Sequence, residues 1–380
     1  MTFPPFGEDH ELFRRTVRTF VSREMAPYAR QWDAARDFPN ELFLQMGELG
    51  LLGLRHPEAY GGAGVDYWYT VAFLEELCAS RCAGVNMAIA VQTDMASPVL
   101  SELGSEEVKE TFVAPAVRGE MIGALGITEA GCGSDVAAVR TTAKRDGDHY
   151  VINGSKTFIT NGSRADFITL AVRTGEKGPG GVSLIVCPTD VEGFTVVRKL
   201  DKIGNHASDT TELAFEDVRV PAGYLLGQEN MGFRYIMMNF QGERLAAAIM
   251  AVKAADMALN DALAYGKERV AFGRPIIKFQ VWRHIFAELQ ARVEAARWLT
   301  YRACDLFNRG EDAVIPISMA KLYACELTFE VHDRVLQFHG GYGYMDEFDI
   351  SRAWRDVRLL TIGGGTSEVM KDIIAKWQGW

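Results

Sequence analysis

The longest uninterrupted helical pattern in the sequence is MGFRYIMMNFQGERLAAAIMAVKAADMALNDALAYGKER, residues 231–269. The segment is rich in alanine, leucine and methionine and contains no proline, so it favours a single helix much longer than average. A long helix has to cover its apolar face with other helices, and helical patterns return near 276–309, 314–338 and 366–377. The C-terminal part of the chain is therefore predicted to be a helical bundle.

The sequence before this segment divides into two blocks of different character. Residues 1–118 repeat apolar residues every three or four positions, which predicts helices. Residues 119–228 contain strand-like runs and turns, and Asn153-Gly154 lies between two such runs, which predicts a hairpin turn. Together with a helical block at 229–380, this order predicts an α+β fold in which a β domain separates two helical domains.

Composition narrows the classes of function. The chain has 380 residues, a formal net charge of −10 and 48% hydrophobic residues, which argues against nucleic acid as a partner. No apolar run approaches the ~20 residues of a membrane helix, so we expect no membrane insertion. Six cysteines without framework spacing predict reduced thiols and a cytoplasmic location. Cys78 and Cys82 lack neighbouring ligands, so no metal site is expected.

One carboxylate falls on an apolar face of the long predicted helix. Glu243 shares a stripe with Ile236, Phe240 and Ala247, while Arg244 points about 100° away from it. A carboxylate that loses water without gaining a partner has a raised pKa, which suits a general base. An ion pair with an arginine of another helix, or a water-filled crevice, would explain the position equally well.

A run of three glycines precedes the last predicted helix, in TIGGGTSEV, residues 361–369. Thr366 is placed to cap that helix, and Glu368 suits its first turn. The glycines Gly363–Gly365 could hold a phosphate, form a flexible connector, or mark the absence of a working side chain.

Five further motifs follow one another along the chain. They are GALGITEAGCGSDVAA (123–138), FITNG (158–162), ERVAFGRPI (268–276), QFHGGYGYMDEFDISRAWRD (337–356) and GGGTSE (363–368). In this order, and across essentially the whole chain, they resemble the motifs of the acyl-CoA dehydrogenase family. One departure is that Ala130 and Cys132 replace the family's usual proline and small residue. The resemblance implies a middle β-barrel domain and a C-terminal four-helix bundle around FAD.

The resemblance also implies which residues hold the cofactor, some of them supplied by a neighbouring subunit of a homotetramer. Glycines there allow close backbone approach, and an arginine suits a pyrophosphate. The implied cofactor contacts are Thr128, Ser134, Phe158, Thr160, Arg269, Phe272, Gln280, Gln337, Gly340, Gly341, Thr366 and Glu368.

The same resemblance also indicates why the glycine run lacks a side chain at position 364. Most family members carry their catalytic glutamate where this chain has Gly364, whereas isovaleryl- and long-chain-type members carry it on the long helix, in a motif similar to GERL (242–245). Glu243 is therefore the implied base, and the Gly364 N–H the implied donor to the thioester carbonyl. The implied substrate contacts are Ser134, Phe240, Arg244 and Gly364.

The implied activity is FAD-dependent α,β-dehydrogenation of an acyl-CoA, with electrons passed to an electron-transfer flavoprotein. Two alternatives stay open at this point. One is a flavin oxidase or monooxygenase that reacts with O₂ on the same fold. The other is a catalytically silent homologue that only binds acyl-CoA.

Overall fold

A computed structural model describes residues 3–380, and their N-terminal part is helical. Arg14 ties the first helix to the fourth by ion pairs of 2.6 Å to Glu75 and 3.3 Å to Glu76. The helices are α1 (Glu8–Phe20), α2 (Ala29–Ala35), α3 (Glu41–Glu48), α4 (Tyr67–Leu77), α5 (Ala83–Ala90), α6 (Pro98–Leu103), α7 (Glu106–Val108) and α8 (Ala114–Val117).

The middle of the chain forms one seven-stranded sheet, with the order β1-β4-β2-β3-β7-β6 and with β5 also paired to β4. The path of paired strands runs from β1 to β6, with β5 branching from β4, and the curled sheet they form is the expected middle β domain. Its strands are β1 (Gly123–Gly126), β2 (Thr142–Asp146), β3 (His149–Thr160), β4 (Phe167–Arg173), β5 (Val182–Pro188), β6 (Phe194–Lys199) and β7 (Thr210–Pro221).

The hairpin predicted at Asn153-Gly154 is wrong, because both residues lie inside β3 at a bulge opposite β7. The Asn153 side chain makes two 2.9 Å hydrogen bonds with Asp217, one to its carboxylate and one from its N–H. A Cβ on Gly154 would come within 2.6 Å of Thr141 Oγ1. The actual hairpin joins β2 to β3 just before this point, where Gly147 has φ +63°. An Asn-Gly pair thus serves a bulge as readily as a turn.

The C-terminal part is helical again, apart from a short hairpin of two strands. No helix within residues 3–380 is both long and apolar enough to cross a membrane. The predicted long helices are present, and α12 is an additional short one. The elements are α9 (Gly232–Glu268), β8 (Val270–Ala271), β9 (Arg274–Pro275), α10 (Gln280–Asn308), α11 (Val314–His339), α12 (Asp349–Val357) and α13 (Ser367–Gln378).

Helix α9 passes through the junction of all three parts of the chain. Near its start, Ile236 packs into a core shared with the sheet and α6. From Leu245 onward it packs into a second core, which the N-terminal helices and the C-terminal bundle share. Glu243 lies between these two stretches, so its carboxylate stands where the three parts of the chain meet. The order of the elements confirms the predicted sequence of helical domain, sheet and helical domain.

Candidate active site

The side chain of Glu243 and the backbone of Gly364 meet at the loop that precedes α13. A Cβ built on Gly364 would lie 3.2 Å from Glu243 Oε1 and 3.8 Å from its Cδ. The carboxylate therefore occupies the space into which a side chain at position 364 would project. Position 243, which carries the carboxylate, and position 364, which lacks a side chain, are therefore neighbours in space.

The environment of Glu243 favours its protonated form. Its Oε2 is buried and has no hydrogen-bond partner within residues 3–380. Burial raises the pKa of the carboxyl to about 7, against the opposing positive charges of Arg244 and Lys321. Among residues 3–380 Glu243 forms no ion pair with an arginine of another helix, so that alternative falls away. A carboxylate with a pKa near neutrality is matched to proton abstraction at neutral pH.

The glycine loop is held in a conformation that few other residues adopt. Gly364 has φ +65° and Gly365 has φ +94°, the left-handed region that glycine enters without cost. Lys321 Nζ donates a hydrogen bond to the carbonyl of Gly365. Thr366 caps α13 as expected, accepting a 3.3 Å hydrogen bond from the N–H of Val369. The loop is therefore a fixed structure and not a flexible connector.

The backbone N–H of Gly364 is free. The N–H groups of Ile362 and Gly363 donate to the carbonyl of Leu359 at 2.8 and 2.9 Å, but that of Gly364 donates to no acceptor in the described part of the chain. A fixed and unpaired N–H is the kind of donor that stabilises charge developing on a carbonyl oxygen. The Gly364 N–H, a potential donor to a carbonyl, and the Glu243 carboxylate thus belong to two residues that are adjacent in space.

Arg244 also faces the glycine loop, which helical geometry alone did not predict. A Cβ on Gly365 would lie 3.9 Å from Arg244 Nε. The arginine is buried, its Nε has no partner among residues 3–380, and its guanidinium lies 5.7 Å from the Phe240 ring centroid. Successive helical residues diverge by about 100°, but both side chains come near the loop, since Gly364 lies beside Glu243 and Gly365 beside Arg244. Arg244 therefore lies near the same loop as Glu243, and its role as a substrate contact stays a prediction.

Four of the expected cofactor and substrate contacts lie at one rim of the sheet. Thr128 and Ser134 belong to the loop after β1, and Phe158 and Thr160 to the end of β3. The N–H of Thr157 donates a 2.9 Å hydrogen bond to the carbonyl of Thr128. This bond brings the loop and the strand together.

A buried ion pair, which the sequence did not indicate, fixes that rim. Lys156 is fully buried, and its Nζ donates to Glu129 Oε1 at 2.9 Å and to the carbonyl of Ile127 at 3.1 Å. Lys156 lies two residues before Phe158, and Glu129 directly follows Thr128. The pair therefore positions both segments at once.

Two aromatic residues among the expected cofactor contacts are exposed and strained. Phe158 has φ +60° with 67% of its surface exposed, and Phe272 has φ +52° with 95% exposed. A left-handed backbone costs a residue with a side chain roughly 1–2 kcal/mol, and such strain collects at functional sites. Within residues 3–380 Phe158 makes no aromatic contact and Phe272 only an edge contact at 6.1 Å to Phe279, which fits rings kept free for a ligand.

A second group of expected cofactor contacts lies on an exposed end of the C-terminal helices. The Arg269 guanidinium lies 5.5 Å from the Tyr342 ring centroid. A Cβ built on Gly340 or Gly341 would meet no atom within 4 Å, so the backbone there is open to close approach. No hydrogen bond, ion pair or aromatic contact in the described chain joins this group to Glu243. Its members are Arg269, Phe272, Gln280, Gln337, Gly340 and Gly341.

Lys321 is a site residue that sequence reasoning missed. It is fully buried on α11 and lies on a stripe with the buried residues Ile317, Ala324 and Thr328. A charged residue on an apolar stripe is the same signal that singled out Glu243. The same reasoning would therefore have found this lysine.

Three family models match the chain in sequence order. They are described as "Acyl-CoA dehydrogenase, N-terminal domain", matched by residues 7–120, "Acyl-CoA dehydrogenase, middle domain", matched by 124–218, and "Acyl-CoA dehydrogenase, C-terminal domain", matched by 230–379.

Relatives with known names agree with these matches. The long-chain specific mitochondrial acyl-CoA dehydrogenase of Sus scrofa is 39% identical over 98% of this chain and 86% of its own. A short-chain specific acyl-CoA dehydrogenase of Clostridium acetobutylicum is 38% identical over 97% of each chain. The crystal structure of a probable acyl CoA dehydrogenase from Mycobacterium abscessus superposes with a TM-score of 0.96 at 45% identity, covering 98% of this chain and 99% of that one. This chain therefore belongs to the acyl-CoA dehydrogenase family of FAD-dependent oxidoreductases.

Proposed function

We propose that this protein oxidises an acyl-CoA thioester to the trans-2-enoyl-CoA and that Glu243 is the base that removes the α proton. The observation that carries the proposal is the adjacency of the Glu243 carboxylate, with its pKa raised to about 7, and Gly364, whose N–H is free. Removal of an α proton needs both a base and a donor to the carbonyl oxygen.

The residues of the chain divide the work as follows. The Gly364 N–H donates to the thioester carbonyl, which makes the α proton more acidic, and Glu243 accepts that proton. Arg244 and Lys321 oppose the effect of burial on Glu243, so part of the carboxylate is ionised at neutral pH. Phe240 and Ser134 contact the substrate, Phe240 from the same face of α9 as Glu243.

The residues present fit FAD, which when bound supplies the acceptor for the β hydride. Phe158 presents an exposed ring in a strained backbone, which suits stacking on a flavin. Thr128 and Thr160 place hydroxyl groups at the same rim of the sheet. Thr366 and Glu368, at the start of α13, would contact the dinucleotide part of FAD. Burial of these groups by the cofactor would offset the cost of the strained Phe158 backbone.

A neighbouring copy of the chain completes this cofactor site in our proposal, as a homotetramer would. The reason is that no hydrogen bond, ion pair or aromatic contact within residues 3–380 joins the exposed group around Arg269 and Phe272 to Glu243. Val270, Val281 and Tyr344, which are close to members of this group in the sequence, are also exposed. The proposed electron acceptor is an electron-transfer flavoprotein. A cytoplasmic location agrees with six free, buried cysteines.

The test is anaerobic titration of the FAD-loaded protein with acyl-CoA thioesters of different chain length. We expect the flavin absorbance to bleach in a single fast phase and the enoyl-CoA to appear in equal amount. Sedimentation of the same sample is expected to give a tetramer, and a colourless monomer that cannot take up FAD would contradict the cofactor site.

Exposure of the reduced protein to air separates the two alternatives. Slow reoxidation in the presence of product, with recovery of rate on adding electron-transfer flavoprotein, supports the dehydrogenase. Stoichiometric peroxide at every turnover would indicate an oxidase. Binding of acyl-CoA without any bleaching across the panel would indicate a silent homologue.

A further inference from the structure

Helix α12 carries the glycine loop of the active site. One turn of 3₁₀ helix, Arg358–Thr361, follows α12 without a break. In that turn the carbonyl of Leu359 accepts hydrogen bonds of 2.8 and 2.9 Å from the N–H groups of Ile362 and Gly363. Gly364 is the next residue. The place of its N–H therefore depends on the place of α12.

The other end of the glycine loop is fixed within the C-terminal bundle. Lys321 of α11 donates a hydrogen bond to the carbonyl of Gly365, and Thr366 caps α13. The loop is thus held at one end by α11 and α13 and at the other end by α12.

Helix α12 contacts all three parts of the chain. In the N-terminal part, Arg352 Nε donates a 3.2 Å hydrogen bond to the carbonyl of Arg81, and Arg355 forms an ion pair of 3.4 Å with Asp33. In the C-terminal part, α12 packs against α11. The middle part reaches α12 through the loop 200–209, which joins β6 to β7. The position of α12 is therefore set by contacts between domains.

The loop 200–209 approaches α12 backbone to backbone. A Cβ on Gly204 would stand 2.6 Å from the carbonyl oxygen of Arg355, so this approach leaves no room for a side chain. On the other side of the loop, a Cβ on Gly84 of α5 would stand 2.9 Å from Ser208 N. The loop is therefore packed tightly between α5 and α12.

Asp356 joins α12 to this loop. Its Oδ1 accepts a 2.6 Å hydrogen bond from the N–H of Asn205, and Asn205 Nδ2 donates to the Asp356 carbonyl at 3.2 Å. Both residues are buried. Burial raises the pKa of the Asp356 carboxyl to about 6, so the group is ionised at neutral pH and its hydrogen bond is of the stronger, charge-assisted kind.

We infer that Asp356 is a positioning residue of the reaction, which holds α12 on the loop 200–209 and thereby keeps the Gly364 N–H beside Glu243. The inference rests on the proposed function and adds to it a residue that acts through α12. The base stands on α9 and the carbonyl donor on the loop after α12, so their separation changes when α12 moves. A displacement of about 1 Å at a reacting centre is enough to cost about 10²-fold in rate.

The test compares Asp356→Ala with Asp356→Asn as FAD-loaded proteins, using the acyl-CoA that reduces the wild-type flavin fastest. Alanine removes the acceptor for the Asn205 N–H, whereas asparagine keeps an oxygen in its place. We expect the rate of anaerobic flavin reduction per bound FAD, at saturating substrate, to fall roughly 10- to 100-fold in Asp356→Ala. Asp356→Asn should stay within about fivefold of wild type. A wild-type rate in Asp356→Ala would overturn the inference.

The infrared carbonyl stretch of the corresponding enoyl-CoA, labelled with ¹³C at its carbonyl, reports on the Gly364 N–H. A donor on the carbonyl oxygen lowers this frequency, so we expect a lowered value in wild type and in Asp356→Asn. In Asp356→Ala it should return toward the value of the free thioester. A merely structural role would lower the resistance of Asp356→Ala to denaturant but leave the frequency at its wild-type value, and that result would overturn the inference.

Gly204→Ala tests the same contact from the side of the loop and does not depend on whether Asp356→Ala folds. The added Cβ meets the Arg355 carbonyl, so we expect a loss of rate in the same direction. Gly180→Ala is the matched control in the middle domain, because a Cβ there would meet no atom within 4 Å. It should reduce its flavin at the wild-type rate. Equal rates in the two glycine variants would overturn the inference.

The wild-type spectrum separates this inference from the proposed function. If the bound enoyl-CoA has the carbonyl frequency of the free thioester in wild type, no donor acts on it, and both the proposed donor at Gly364 and the role of Asp356 fail. If the frequency is lowered in wild type and stays lowered in Asp356→Ala, only the role of Asp356 fails and the dehydrogenase stands.

Discussion

Glu243 Oε1 lies 3.2 Å from the position that a Cβ of Gly364 would occupy. The site therefore has room for a carboxylate from only one of these two positions. A glutamate at position 364 and a glutamate at position 243 would compete for the same volume. The absence of a side chain at 364 is thus a structural condition for the base on α9.

Moving the carboxylate to the loop should rescue little activity. In a Glu243→Gln background, Gly364→Glu places a side chain at φ +65°, at a cost of roughly 1–2 kcal/mol. We expect it to raise the rate of flavin reduction less than about tenfold over the single variant. Gly364→Ala in the same Glu243→Gln background is the control, because it adds the Cβ and the backbone strain without a carboxylate. Recovery close to the wild-type rate would mean that the loop adopts another conformation.

Phe158 should contribute to FAD binding while its backbone opposes folding. Phe158→Ala and Phe158→Gly both remove the ring, so each should weaken FAD binding up to about tenfold. Only glycine relieves the strain at φ +60°, so the apo form of Phe158→Gly should be more stable than that of Phe158→Ala by about 1 kcal/mol. FAD dissociation constants and urea unfolding of the apo proteins measure the two effects. Unchanged FAD affinity in both variants would remove Phe158 from the cofactor site.

The pH dependence of catalysis should report the ionisation of Glu243. Only the carboxylate accepts a proton, and burial raises its pKa to about 7. We therefore expect kcat/KM for flavin reduction to rise with pH and to level off above about pH 7, because kcat/KM follows the free enzyme. Stopped-flow rates between acid and alkaline pH measure this curve. A limb that levels off near the ordinary pKa of a glutamate would contradict the burial of the base.

The same pKa has a consequence for stability. Because the folded state retains the proton of Glu243 up to about pH 7 and the unfolded state only up to the ordinary glutamate pKa of 4.5, the free energy of unfolding falls as pH rises between these values. Glu243→Gln removes this cost and should be more stable than wild type above pH 7 by roughly 1–3 kcal/mol. The difference should vanish in acid. Denaturant unfolding without substrate at both pH values checks it, and equal stability at alkaline pH would contradict the shift.

The helical and β blocks, and the unusual position of Glu243, could be predicted from the sequence because hydrophobic periodicity is a local property. The bulge at Asn153-Gly154 could not, because what distinguishes it from a turn is the close approach of Thr141 and the bonds to Asp217. For a related reason, helical geometry alone separated Arg244 from Glu243, although the family resemblance named both as site residues. Helical geometry orients the Arg244 side chain, but only the fold brings Gly365 beside it.

The cofactor residues illustrate a different limit. Family motifs identify Phe158 and Phe272, but their positive φ angles depend on a bulge in β3 and on the turn between β8 and β9. The Lys156–Glu129 pair was missed because its partners are distant in the chain and an isolated lysine in a strand carries no signal. Tertiary contacts, not propensity, decide such positions.

The central claim, that Glu243 is the base, is tested most directly by the rate of anaerobic flavin reduction in Glu243→Gln at saturating acyl-CoA. The substitution keeps the shape of the side chain and removes the proton acceptor, so FAD content should be unchanged and the rate should fall by about 10²–10⁴-fold. Glu326→Gln, on the exposed surface of α11, is the matched control and should reduce its flavin at the wild-type rate. A Glu243→Gln protein that reduces its flavin as fast as wild type would contradict the account.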